Sequence, residues 1–166
     1  IHIESMNDGK RYLVRSNANS KIHANILSIL AEKKINLLKH LKKQKKYKNH
    51  TGVQRLISNE DVVIEEVAAK YEKEAAYSIN KGERIGICLR DKKTGEIENE
   101  NEMFFVLIHE LAHIMTDAYK HNQQFWKNMS LLIENAIEAK LYNYVNYKSK
   151  PTMYCGHLIS HSPYVK

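Results

Sequence analysis

Residues 103 to 118 are the most apolar stretch of the chain, yet they carry His109-Glu110-Leu111-Ala112-His113. A run of that length and composition predicts a buried helix. On a helix, positions i and i+4 lie one above the other, so the two imidazoles share a face and can grip one ion. The glutamate beside the first histidine can reach a water held by that ion and take its proton. Zinc lowers the pKa of such a water from about 15.7 to about 7. Phe104 to Ile108, with Leu111, Ala112, Ile114 and Met115, would bury the helix and keep the site dry. Five-residue patterns with two free positions also arise by chance. A chance match rarely falls in the most apolar helix of a small chain with a further histidine close behind.

A catalytic zinc site usually takes three protein ligands and leaves a position for water. His121, eight residues after His113, is the first candidate for the third ligand, because a chain reversal past the helix end would swing its ring back. The metzincin pattern is not met, since Thr116 and Tyr119 stand where that pattern has glycine and histidine. A glutamate on the following helix is the competing arrangement, which keeps Glu134 and Glu138 open, with Asp117 a weaker candidate. The expected cofactor is one zinc ion per chain.

The 166 residues predict a single domain spanning 1–166, with an extended lead-in over 1–19 and an extended tail over 143–166. At 43% hydrophobic and 27% charged, with two prolines and six glycines, the composition is that of a folded globular chain. No apolar run approaches a membrane span and nothing resembles a signal peptide. The chain begins at Ile1 rather than Met, so a trimmed leader or anchor stays open. Cys88 and Cys155 are far apart and make neither a disulfide framework nor a cysteine zinc site by spacing, which favours a reducing, intracellular compartment (cytoplasm or nucleus, or a virion).

Periodicity predicts an α+β architecture, a small sheet packed on a few helices. Ile22, Ile26, Ile29, Leu30, Leu37, Leu38 and Leu41 mark a first helix ending near Lys43, before an Asn49-His50-Thr51-Gly52 breaker. Residues 53 to 76 are ambiguous: Val62-Val63-Ile64 suits a strand, while Glu65 to Ala76 holds good helix formers. Tyr77 to Ile79 and Glu83 to Arg90, joined by Asn80-Lys81-Gly82, read as a hairpin. Asp91 to Glu102 reads as a loop. Asn122 can cap a third helix whose core stripe is Phe125, Met129, Leu132, Ile133, Ala136 and Ile137.

With these elements in place, Val106 to His113 followed by His121, Phe125 and Trp126 resembles the WLM metalloproteases and their SprT (Spartan) relatives, and in particular WLM-like proteins of large DNA viruses. The strand Gly86-Ile87-Cys88-Leu89-Arg90 ahead of the motif helix is similar to the WLM layout, and the likeness covers about residues 77 to 140. The departure is the spacing from His113 to His121, wider than in cellular members. The resemblance implies a compact zincin-like peptidase, linked in cellular members to cleavage of proteins crosslinked to DNA. The lysine-rich composition, with few arginines, suits an A+T-rich genome.

The net charge of +7 is concentrated: Lys33, Lys34, Lys39, Lys42, Lys43, Lys45, Lys46 and Lys48 fall in sixteen residues without an acid. A solvated helix end is the plain reading. A polyanion partner is the sharper one, with Lys42, Lys43, Lys45 and Lys46 contacting phosphate without reading sequence. Tyr154 is a candidate donor to the oxyanion of a tetrahedral intermediate, against the plainer reading of a packed tyrosine. Phe125 and Trp126 read as core. His2, His23, His40 and His50 read as surface residues, and His157 and His161 lie on a tail that could return over the site. The expected function is zinc-dependent hydrolysis of peptide bonds with Glu110 as general base, on DNA-associated proteins. The alternatives are a zinc-containing DNA- or protein-binding module without proteolysis, and a hydrolase of a non-peptide amide.

Overall fold

The computed structural model describes every residue of the chain except Lys81, Ala118 and Tyr119. The middle of the expected hairpin turn, the last residue of the expected motif helix and the metzincin comparison at Tyr119 therefore lie outside the described residues. The elements run β1 (His2–Glu4), β2 (Arg11–Leu13), α1 (Ser20–Lys42), α2 (Thr51–Ser58), β3 (Val63–Glu66), β4 (Ala76–Ile79), β5 (Arg84–Ile87), α3 (Glu100–Met115), α4 (Gln123–Glu138), β6 (Thr152–Tyr154) and β7 (His157–Ile159). This is the expected α+β arrangement. Among the described residues no helix is long and apolar enough to cross a membrane.

The central sheet has the order β3-β5-β4, with β3 parallel and β4 antiparallel to β5. Ile64, Ile85 and Ile87 point to its covered face and are at most 2% exposed. On the other face Tyr77 lies directly across from Gly86, where a Cβ would meet the tyrosine ring at 2.2 Å. Any larger residue would have to displace the Tyr77 ring, whose hydroxyl accepts from Ala68 N and donates to Glu65.

The core helix α3 packs on β4 and β5 and against α2 and α4. It starts at Glu100, earlier than its apolar run suggested, because the Asn99 side chain accepts from the backbone of Asn101 at 2.8 Å and caps it. Phe104, Leu107, Ile108, Leu111 and Ala112 are fully buried. Each of the larger ones contributes about 1.5–3 kcal/mol of apolar burial. The expected cap of α4 is formed, with the Asn122 side chain accepting from Phe125 N at 2.8 Å.

Several expectations change. Residues 1–19 and the tail are not merely extended, since each folds into a short antiparallel hairpin. The Asn49 to Gly52 breaker starts α2 instead: His50 Nδ1 accepts from Val53 N at 3.1 Å, which turns a breaker into a cap. Glu65 to Ala76 forms no α-helix; Glu65 and Glu66 complete β3, and only Ala69–Tyr71 coils, as a short 3-10 turn. Sheet pairing outweighs the local helix propensity of this segment.

Cys88 and Cys155 are joined by a disulfide across a sequence separation of 67, which corrects the reading that the two make no disulfide framework. Spacing along the chain could not reveal it, because the tail hairpin brings Cys155 back against the end of β5. His23 is also not a surface residue. It is 1% exposed, accepts from Arg90 Nε at 2.7 Å on Nε2, and so donates its Nδ1 proton to Glu66 Oε1 at 3.1 Å. The Arg90–His23–Glu66 chain ties α1 to β3 and to the segment after β5.

Candidate metal centre

His109 and His113 occupy one face of α3, each half-buried. The helix stops at Met115: Thr116 takes extended backbone angles, and its hydroxyl donates to Ala112 O at 2.8 Å. That terminus is held from two sides. Arg55 of α2 donates to Met115 O at 3.0 Å, and the buried Asn128 of α4 donates to Thr116 Oγ1 at 2.9 Å. The chain leaving this fixed end reaches His121 just before α4 begins.

His121 Nε2 lies 3.1 Å from His109 Nε2 and 3.1 Å from His113 Nε2. One nitrogen carries at most one proton and cannot donate to two acceptors at once. Three ring nitrogens converging in this way form a donor set that could hold a cation. A tetrahedral zinc with Zn–N bonds of about 2.0–2.1 Å has ligand nitrogens about 3.3 Å apart, close to these separations. The donor set therefore fits one zinc with a position left for water, and among the described residues it is the cluster able to hold a metal. Burial first, then the neighbouring His113 and His121 rings, push the His109 imidazole down to about 3. The ring is kept neutral, the form that ligates.

Glu110 is 8% exposed. Burial first, and then the negative charge of Glu74, raise its carboxyl to about 7. A cation on the three imidazoles acts in the opposite sense and favours the carboxylate. Glu74, in the turn before β4, was not singled out from sequence, since nothing local marks it as a neighbour of α3.

Phe125 closes the back of the site. Its ring centroid is 5.0 Å from that of His109, 4.4 Å from His113 and 4.8 Å from His121. Trp126 flanks the same rings, 5.4 Å from His121 and 6.3 Å from His109.

The other candidates fall elsewhere. Glu134 and Glu138 are exposed on α4 and outside the histidine cluster; Glu138 meets His40 at 3.2 Å. Exposed Asp117 is also outside it. Tyr154 is not placed to serve an oxyanion: it is fully buried and donates its hydroxyl to the carbonyl of Cys88. His157 Nε2 sits 2.7 Å from Lys73 O, while His161 contacts Trp126 edge-on at 5.2 Å, so the tail does return towards the site.

The lysine segment is less uniform than its composition. Lys33 pairs with Glu100 at 2.9 Å and Lys42 with Glu60 at 2.5 Å. Lys34 is buried and donates to the carbonyls of Glu60 and Val62. Lys39, Lys43, Lys45, Lys46 and Lys48 are exposed and have no ion pair among the described residues.

Fold and site together define an α+β domain that presents an H-E-x-x-H helix and a third histidine as one cluster able to hold a metal ion. The chain belongs to the WLM domain family, whose model matches residues 62–159. It is 30% identical over 168 residues to an uncharacterized protein of Acanthamoeba polyphaga mimivirus, covering 95% of this chain and 81% of the relative. An uncharacterized protein of Invertebrate iridescent virus 6 is 31% identical over 98 residues, 58% of this chain and 53% of that protein. A third, from Invertebrate iridescent virus 3, is 31% identical over 72 residues, 43% of this chain and 45% of its own length. No solved structure matches.

Proposed function

We propose that the protein is a zinc-dependent peptidase. The observation that carries this reading is the buried Glu110 next to three converging imidazole nitrogens. His109, His113 and His121 would hold the ion. Bound zinc supplies a Lewis acid that acidifies water and polarises a carbonyl. Glu110 takes the proton of the attacking water on a carboxylate oxygen and returns it to the leaving amine nitrogen. Phe125 and the apolar face of α3 exclude bulk water, which strengthens these interactions. β4 is the edge of its sheet and packs beside α3, so its outer backbone groups can pair with an extended peptide. A module that binds zinc only for structure has no use for a buried carboxylate at that position.

Action on DNA-associated protein is the finer part of the reading. The exposed Lys39, Lys43, Lys45, Lys46 and Lys48, without an ion pair among the described residues, support phosphate contact without sequence reading. The viral relatives support an infected-cell setting.

The test is Glu110→Gln, assayed for zinc content and for cleavage of unfolded and of DNA-bound proteins. Zinc should stay while cleavage falls about 10²- to 10⁴-fold. A zinc-loaded wild type that cleaves neither substrate would favour the non-catalytic module.

A further inference from the structure

The expectation that Trp126 is core holds only for part of its ring. On α4, Phe125, Met129, Leu132, Ile133 and Ala136 are buried, whereas Trp126 is half-buried. Gln123, Trp126, Lys127 and Ser130 fall at i, i+3, i+4 and i+7 and so form one stripe on a different face of the helix. The returning tail lies opposite, with His161 and Pro163. Between them is an open groove of about 720 Å³.

This groove and the histidine cluster share one neighbouring ring, that of Trp126. Trp126 lies beside His121 and His109, at 5.4 and 6.3 Å between ring centroids, and also contacts His161 at 5.2 Å with the rings nearly perpendicular, at 87°. We propose that the groove floored by Trp126 is a specificity subsite that receives a large apolar or aromatic side chain of a polypeptide held at the histidine cluster. The proposal rests on the peptidase reading for its substrate class.

The lining sets the preference. An indole face bordered by proline and by the aliphatic stem of Lys127 favours flat apolar groups. The chain's own His161 already presents an aromatic ring to that indole in an edge-on geometry. Lys127 is the one formally charged group among the lining residues and disfavours a cationic side chain. Ser130 lies a helical turn beyond Trp126, and a bulky replacement there would fill the groove without touching the metal ligands.

The experiment uses zinc-loaded Glu110→Gln protein and fluorescein-labelled Gly/Ser peptides carrying a single Phe, Ala or Lys, with affinity read by anisotropy. Trp126 is the only tryptophan in the chain, so its emission reports occupancy when the unlabelled peptides are used. The Phe peptide should bind about 10-fold or more tighter than the Ala and Lys peptides and shift the emission, as pocket discrimination of one apolar side chain allows. Trp126→Ala and, independently, Ser130→Tyr should shrink that preference to about twofold with zinc content unchanged, whereas Trp126→Phe should retain it. Equal binding of all three peptides, no binding of any, or a preference untouched by both variants would overturn the subsite. Wild-type cleavage without side-chain preference would remove the subsite and leave the peptidase. A Trp126-dependent preference in a protein that never cleaves would do the reverse.

Discussion

His109 and His121, twelve residues apart, bring their Nε2 atoms to 3.1 Å although no secondary-structure element contains both. The contact depends on where α3 stops and where α4 begins. Zinc affinity should therefore depend on His121 and be indifferent to Glu134. His121→Ala should weaken zinc binding by more than about 100-fold, beyond the range typical of outer-shell changes, and Glu134→Ala by little. Chelator competition on the purified protein, which should hold about one zinc per chain, checks this. The opposite order would move the third ligand to α4.

Thr116→Val tests the held end of α3. The change removes the hydroxyl that accepts from buried Asn128 and donates to Ala112 O. Asn128 Nδ2 would lose that acceptor, so stability should fall by about 1–3 kcal/mol. Zinc affinity should drop too, because Thr116 caps the end of the helix that carries His109 and His113. Urea titration and chelator competition on the same sample would read both effects, and a loss of stability without a loss of affinity would detach the helix end from the metal centre.

Reduction of Cys88–Cys155 should destabilise the protein. Closing a loop of this length removes about 4 kcal/mol of unfolded-chain entropy in the loop-closure model, with measured values often smaller. Thermal melts with and without reductant should separate by several degrees, and the paired Cys88→Ala, Cys155→Ala protein should melt like the reduced one. Identical melts, with the bond verified by mass spectrometry, would mean that packing of Tyr154 alone holds the tail.

Charge reversal tests the exposed lysines. Lys42 is paired with Glu60, so the informative set is Lys43, Lys45, Lys46 and Lys48. Changing these to Glu should weaken duplex DNA binding and flatten its salt dependence by about 0.9 for each phosphate that is no longer neutralised. Zinc content should not move. An unchanged salt slope would return the segment to the role of a solvated face.

The histidine pair and its glutamate were legible in sequence because a helix repeats every 3.6 residues, so spacing alone puts His109 and His113 on one face. Capping at Asn122 and the β4–β5 hairpin were legible for the same reason: each is decided by a few adjacent residues. The 49–52 and 65–76 segments differ from their local reading where local preference met a tertiary opponent. His50 became a cap once α2 had α3 to pack on, and Glu65 and Glu66 joined a strand once β5 lay beside them.

What only the tertiary structure decided are relations between residues far apart in the chain. Sequence left His121, Glu134 and Glu138 all open as ligands; with the end of α3 held by Arg55 and Asn128, His121 lies in the cluster and the two glutamates stay exposed on α4. Tyr154 had the chemistry of an oxyanion donor, but the tail hairpin buries it and gives its hydroxyl to the Cys88 carbonyl. The same hairpin joins Cys155 to Cys88. In each case the sequence specified which groups were available, and the packing of α2, α4 and the tail around α3 specified which of them could meet.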